Sequence, residues 1–190
     1  MHKQRCDQII CAFYDRLCYG YSKKLFINRI HNLSLFDSSK LNTDFSPTRV
    51  AKDLPTRVAK DLPTEIVFHG TNLKNVHNIL LYNLRPNMYS TANGIYVSRI
   101  PHVHAMTRPL FGRNTTKTGY LFGCFAHTSN IIKSSTHCFT HNDYYDTIEI
   151  PLIDPNSETY LGQPPVLVLK SPSQIFPQIL IEYTFENSVC

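Results

Sequence analysis

Apolar residues fall into two regimes along the chain. From Gln4 to about Phe36, Ile9, Ile10, Phe13, Leu17, Tyr21, Leu25, Phe26 and Ile30 recur at spacings of three, four and seven. That stripe predicts a helical segment, with Gly20 as a break point. Its apolar face would pack on the rest of the chain or dock a partner. From Thr64 onward the pattern changes to short apolar runs bounded by turn residues. Thr64–Phe68 is predicted as a strand leading into His69, and Asn72–Tyr82 as a helix with Leu73, Val76, Ile79 and Leu80 on one face. Ile95–Ser98, Gly119–Ala126, Pro165–Leu169 and Ile179–Phe185 are predicted strands, the last two separated by turns at Pro172 and Pro177. Pro101 suits the first turn of a short helix through about Met106. Ile131 to Gly162, rich in Ser, Thr, Asn, Asp and Tyr, is predicted as loops over a rim. Short strands with few helices imply an α+β domain, since the regular strand–helix alternation of a doubly wound sheet is missing.

Between the two regimes the octapeptide P-T-R-V-A-K-D-L occurs twice in succession, Pro47–Leu54 and Pro55–Leu62. A solenoid unit is longer and needs several copies, so the pair is read as a duplication in an exposed linker. The expected organisation is a helical extension over 1–46, a linker over 47–63 and a folded domain over 64–190.

Composition narrows the function classes. With 190 residues and 42% hydrophobic content the chain can bury one core. A net charge of +5 and a pI near 8.9 come from scattered Lys and Arg, which favours a small anionic ligand over a nucleic-acid groove. No apolar run reaches the roughly 20 residues of a membrane span. The N-terminal M-H-K-Q-R-C-D-Q lacks the apolar region of a secretory signal. The six cysteines are therefore expected as thiols in an intracellular compartment, cytoplasmic or nuclear. Neither they nor the histidines, among them His102, His104, His137 and His141, show ligand spacing, so no metal is expected.

The chemistry-bearing stretch is Ile66–Ser98, with His69-Gly70-Thr71 at the end of one strand and Gly94-Ile95-Tyr96 opening the next. Histidine, glycine and tyrosine at two strand ends can form a pocket for a flat, hydrogen-bonding ring. Taken singly, His69 could equally be a polar strand end and Tyr96 a core aromatic. Together with the intervening helix, N-L-R-P and the C-terminal Q-I-F-P, the stretch resembles the poly(ADP-ribose) polymerase-like ADP-ribosyltransferases, whose signatures read H-G-[ST] and G-x-Y. The resemblance covers about Thr64 to Tyr183.

That resemblance implies a split antiparallel β-sheet core with short helices, and NAD as co-substrate without a metal. The implied enzyme transfers ADP-ribose to a protein acceptor and releases nicotinamide. Gly70 would bind the carboxamide through its backbone, with Thr71 completing the triplet. His69 would hydrogen-bond the adenine-side ribose, Tyr96 would stack on the nicotinamide ring and Arg85 would hold the adenosine part. Registering on Gln174 puts Val166 at the third signature position, where chain-elongating members carry a glutamate acting as general base. Valine cannot serve, so His69–Tyr96–Val166 implies single-unit transfer, or an inactive NAD-binding or protein-interaction module. The departures from the family pattern are His104 at a serine position that binds the carboxamide, Thr107 in place of a second stacking tyrosine, and Asn83 in place of the glycine of G-L-R. A third option is the RNA 2′-phosphotransferases, which share the transferase fold, use NAD and also carry H-G-T, but they need several arginines around the RNA phosphate and the Q-I-F-P register argues against them.

A linker tolerates a shorter path because loop-closure entropy changes slowly with length. Deleting Pro55–Leu62 is expected to move the melting temperature by less than about 2 °C, measured calorimetrically. A larger drop would place the repeat inside packed structure and move the domain boundary away from Thr64.

Overall fold

The structure is a computed structural model, and it describes residues 2–17, 25–33, 64–87, 92–101, 118–134, 138–139, 144–150 and 165–185. Helix α1 (His2–Leu17) and strand β1 (Leu25–Asn32) come first, followed by β2 (Thr64–Thr71), helix α2 (Leu73–Tyr82) and β3 (Ile95–Ser98). Then come β4 (Thr118–His127), β5 (Ile131–Lys133), β6 (Thr147–Ile150), β7 (Val166–Leu169), a 3-10 turn at Pro172–Gln174 and β8 (Ile175–Phe185). The strands form one eight-stranded sheet in the order β1-β8-β4-β2-β3-β7-β6-β5. Neighbours are antiparallel apart from the parallel β5–β6 pair. A mixed sheet with two helices among the described residues is the α+β class expected from the run lengths.

β4 is buried over nearly its whole length because both of its faces are covered. On one face α1 packs Cys6, Ile9 and Phe13 against Phe68, Leu121, Ile179, Ile181 and Tyr183. Ile9 and Phe13 are completely buried, worth about 1.5–3 kcal/mol each. The helix can sit this low because of Gly123, where an added Cβ would lie 2.5 Å from Ile9 Cγ2 and 2.7 Å from Ile179 Cγ1. On the other face Val76 of α2 joins Val67, Ile95, Val97 and Leu167. Asn72 caps α2, its side chain accepting from the Asn75 N–H at 3.1 Å.

Four sequence expectations are corrected. The N-terminal stripe is not one helix, because its second part is edge strand β1. A bulge at Asn28 shifts the register between Ile27 and Arg29, so Ile27 opposes Tyr183 and Ile30 opposes Ile181. Both therefore face α1 at a spacing of three, which mimics helical periodicity. Pro177 does not end a strand either. β8 starts at Ile175 and runs through the proline, which sits opposite Cys124 at a register shift and beyond the end of β1. Among the described residues β1 offers no ladder partner there. The polar stretch after Ile131 holds β5 and β6 as well as loops. In α2, Leu73 is 41% exposed, so it does not share the buried face of Val76. Gly20, both octapeptides, the helix expected beyond Pro101, His102, His104, Thr107, His137 and His141 lie outside the described residues.

The sheet divides at β2–β3, where register pairing among the described residues is the single pair Phe68–Ser98. Polar side chains reinforce this seam. Arg99, just after β3, donates to both oxygens of Glu65 on β2, with Nη2 to Oε1 at 2.9 Å, and to Glu149 on β6 at 3.2 Å. Arg16 at the end of α1 donates to the carbonyls of Ile66 at 2.8 Å and Arg99 at 2.9 Å. The Glu65 hydrogen bond, against the pull of burial, pushes the Arg99 guanidinium further into its charged form.

Burial raises the pKa of Cys6, Cys124, Tyr120 and Tyr183, with Asp7 adding to the rise at Cys6 and Glu182 at Tyr120. The folded chain thus keeps protons that the unfolded chain releases. The associated stability is full below the ordinary values, about 8.5 for thiols and about 10 for phenols, and is lost as pH rises through the folded ones. Melting temperature is expected to fall steadily from pH 8.5 to 11, and less steeply in Tyr183→Phe. A flat profile for wild type in this window would contradict the burial of these groups.

Candidate functional site

Beyond the Phe68–Ser98 pair, β2 and β3 part. His69, Gly70 and Thr71 stay paired with Phe122, Leu121 and Tyr120 of β4, while Ile95 and Tyr96 pair with Leu169 and Val168 of β7. The opening is bridged by the imidazole of His69, whose Nδ1 lies 2.8 Å from the Tyr96 carbonyl oxygen. A carbonyl accepts, so Nδ1 carries the proton of this bond. The H-G-T and G-x-Y elements are therefore neighbours in space.

A cleft of about 500 Å³ lies beside them. One wall is a face of α2 formed by Asn75, Asn78, Ile79 and Tyr82, spaced three and four apart. Gly94-Ile95-Tyr96, His69, Thr71 and Asn83-Leu84-Arg85 also line the cleft. Asparagines dominate this lining. No carboxylate occurs among the described lining residues, and Arg85 supplies a guanidinium. Such a surface suits a ligand with amide, hydroxyl and anionic groups.

Of the residues singled out in the sequence, His69, Thr71, Arg85 and Tyr96 line this cleft. The Tyr96 ring packs with the Ala92, Ile148 and Val168 cluster, and its hydroxyl accepts from the Ala92 N–H at 3.3 Å. Gly70 is buried in β2, and Val166 pairs with Ser98 on β7; neither is among the lining residues. Gly94 has a packing reason: an added Cβ would lie 2.5 Å from Val168 Cγ1 and 2.7 Å from the Leu169 carbonyl oxygen. Gln174 of Q-I-F-P is a buried brace. Its Nε2 donates to the carbonyls of His127 at 3.2 Å and Asp146 at 3.0 Å, while its Oε1 accepts from the Ser171 N–H at 2.8 Å.

Two features were not anticipated from the sequence. The asparagines at 72, 75 and 78 follow helical spacing, yet a polar face on a short helix reads as a solvated face. Asn83, singled out as a replaced glycine, has φ 63° and ψ 175°, a backbone region that glycine occupies freely. Its side chain compensates. Nδ2 donates to the carbonyls of Pro172 and Ile175, each at 3.2 Å, and Oδ1 accepts from the Leu84 N–H at 2.7 Å.

No family model matches the chain, and no curated protein is detectably similar to it. Among the described residues, no group of three His, Cys, Asp or Glu side chains is placed to hold a metal ion. No described helix is long and apolar enough to cross a membrane.

Asn83→Ala keeps the unfavourable positive φ and deletes three hydrogen bonds, whereas Asn83→Gly deletes the bonds but relieves the backbone. Urea unfolding is expected to show a loss of about 2–3 kcal/mol for alanine and roughly 1 kcal/mol for glycine. Equal losses would mean that the backbone at Asn83 is unstrained.

Proposed function

We propose that the chain binds NAD in this cleft and transfers single ADP-ribose units to a protein acceptor, releasing nicotinamide. The observation that carries this reading is the His69 Nδ1–Tyr96 carbonyl bond at 2.8 Å. It brings the two signature elements together beside a cleft of about 500 Å³, within the usual size of a cofactor site. A sheet that divides between those elements is also what a split-sheet transferase core requires. His69, at the edge of the cleft, suits a ribose hydroxyl, and Arg85 suits the nucleotide end.

In the reaction the bond between the ribose C1′ and the nicotinamide nitrogen breaks, and its electron pair leaves with nicotinamide. Positive charge builds on the sugar, and the acceptor forms the new bond to C1′. A hydroxyl acceptor would need a base to take its proton. Val166 offers none, and no carboxylate occurs among the described lining residues. An acceptor carboxylate attacks already ionised and needs no base, so it fits this site better than a ribose hydroxyl does. Chain elongation is correspondingly not expected. The same lack of a base favours a second reading, in which the cleft binds NAD without turning it over.

The test incubates the pure chain and candidate acceptors with labelled NAD, following label transfer, nicotinamide release and binding by calorimetry. Single-unit labelling is expected, and His69→Ala is expected to weaken NAD binding by about 0.5–1.5 kcal/mol through loss of a hydrogen bond to the ligand. Polymer ladders would defeat the single-unit reaction. Binding without nicotinamide release would select the second reading, and equal affinity for His69→Ala and wild type would remove the site.

A further inference from the structure

Helix α2 ends on a large aromatic side chain that does nothing for the core: Tyr82 is 59% exposed. Its ring has a partner of another kind. The guanidinium carbon of Arg85 stands 4.9 Å from the ring centroid, and both residues line the cleft. The backbone that carries this pair is fixed on either side. Asn83 is tied to the Pro172 and Ile175 carbonyls, Leu84 is 2% exposed in the core, and the Asn87 N–H donates to the Gly94 carbonyl at 2.9 Å. An arginine in such a segment has a fixed origin and a long, mobile side chain. A ring beneath it removes much of that freedom.

We propose that Tyr82 is a positioning residue for Arg85, and that the pair forms a rim subsite for the phosphate-bearing nucleotide half of the ligand. A guanidinium seated on a ring uses its face for the ring, which leaves its N–H edge to meet an oxyanion. The described lining residues include no carboxylate to neutralise it. A bare nicotinamide carries no oxyanion and gains nothing from the pair, whereas NAD and ADP-ribose carry a pyrophosphate. The Tyr82–Arg85 pair thus makes the cleft selective for a ligand with a nucleotide end. This proposal rests on NAD binding in the cleft, but Tyr82 belongs to none of the motifs behind that reading.

The experiment is calorimetry on the full chain with NAD, ADP-ribose and nicotinamide, for wild type, Tyr82→Leu, Tyr82→Phe and Arg85→Leu, plus the double leucine variant. Tyr82→Leu is expected to weaken NAD and ADP-ribose about two- to fivefold, the factor that an exposed cation–π contact supplies, without changing nicotinamide binding. Tyr82→Phe, which keeps the ring, should restore binding to within about twofold of wild type. In the Arg85→Leu background, Tyr82→Leu should have no further effect, because the ring acts through the arginine. The proposal is overturned if Tyr82→Leu binds NAD like wild type, if nicotinamide weakens by the same factor, or if the loss persists without Arg85. Failure of wild type to bind NAD at all would instead remove the functional reading on which the subsite depends.

Discussion

The two halves of the sheet meet at Phe68 and Ser98, and one cross-strand pair contributes only about 0.2–1 kcal/mol. A seam this thin would separate if backbone pairing alone held it. Arg99 takes the place of the missing ladder, with one guanidinium reaching Glu65 in the first half and Glu149 in the second. Both carboxylates are less than a quarter exposed, so the contacts are shielded from the solvent that weakens surface ion pairs. Arg16 adds a second tie by carrying the end of α1 to carbonyls on both sides of the seam. The helix is thereby coupled to the division of the sheet as well as to its apolar face.

The seam also creates the cleft. Had β2 and β3 stayed paired, their backbones at residues 69–71 and 94–96 would have satisfied each other and left no room between the strands. Because they part, His69 spans the opening with a side chain in place of a ladder rung. Charged side chains thus close the seam on one side of Phe68–Ser98, and an imidazole and a cleft lie on the other.

How legible this was depends on the element. β2, α2 and β3 could be read because an unbroken apolar run, a 3.6-residue period and Gly94 each point to one structure. β1 could not, because the bulge at Asn28 turned a strand's period of two into a spacing of three. The start of β8 was hidden because Pro177 reads as a terminator unless it is known to lie at a register shift beyond the last β1 pair. β5 and β6 have three and four residues, too short for alternation to stand out from polar surroundings. At the site, His69, Tyr96 and Arg85 could be found because they sit at element ends. The conformation of Asn83 and the partnership of Tyr82 with Arg85 depend on where α2 stops, which local patterns leave open by a few residues.

The position of β8 bears on when the chain can fold. This last described strand lies between β1, near the start, and β4 in the middle, and Leu25 pairs with Phe185. β1 and one edge of β4 therefore stay unpaired until β8 has been synthesised, although β2 can already pair with β4. Until then, Ile9 and Phe13 of α1 also lack much of the surface that buries them. Pairings between strands far apart in sequence are slow to find, and unpaired strand edges invite association with other chains while they wait. A ribosome-bound chain is thus most vulnerable before β8 is made, and a truncation that removes β8 takes away an inner strand of the sheet rather than its margin.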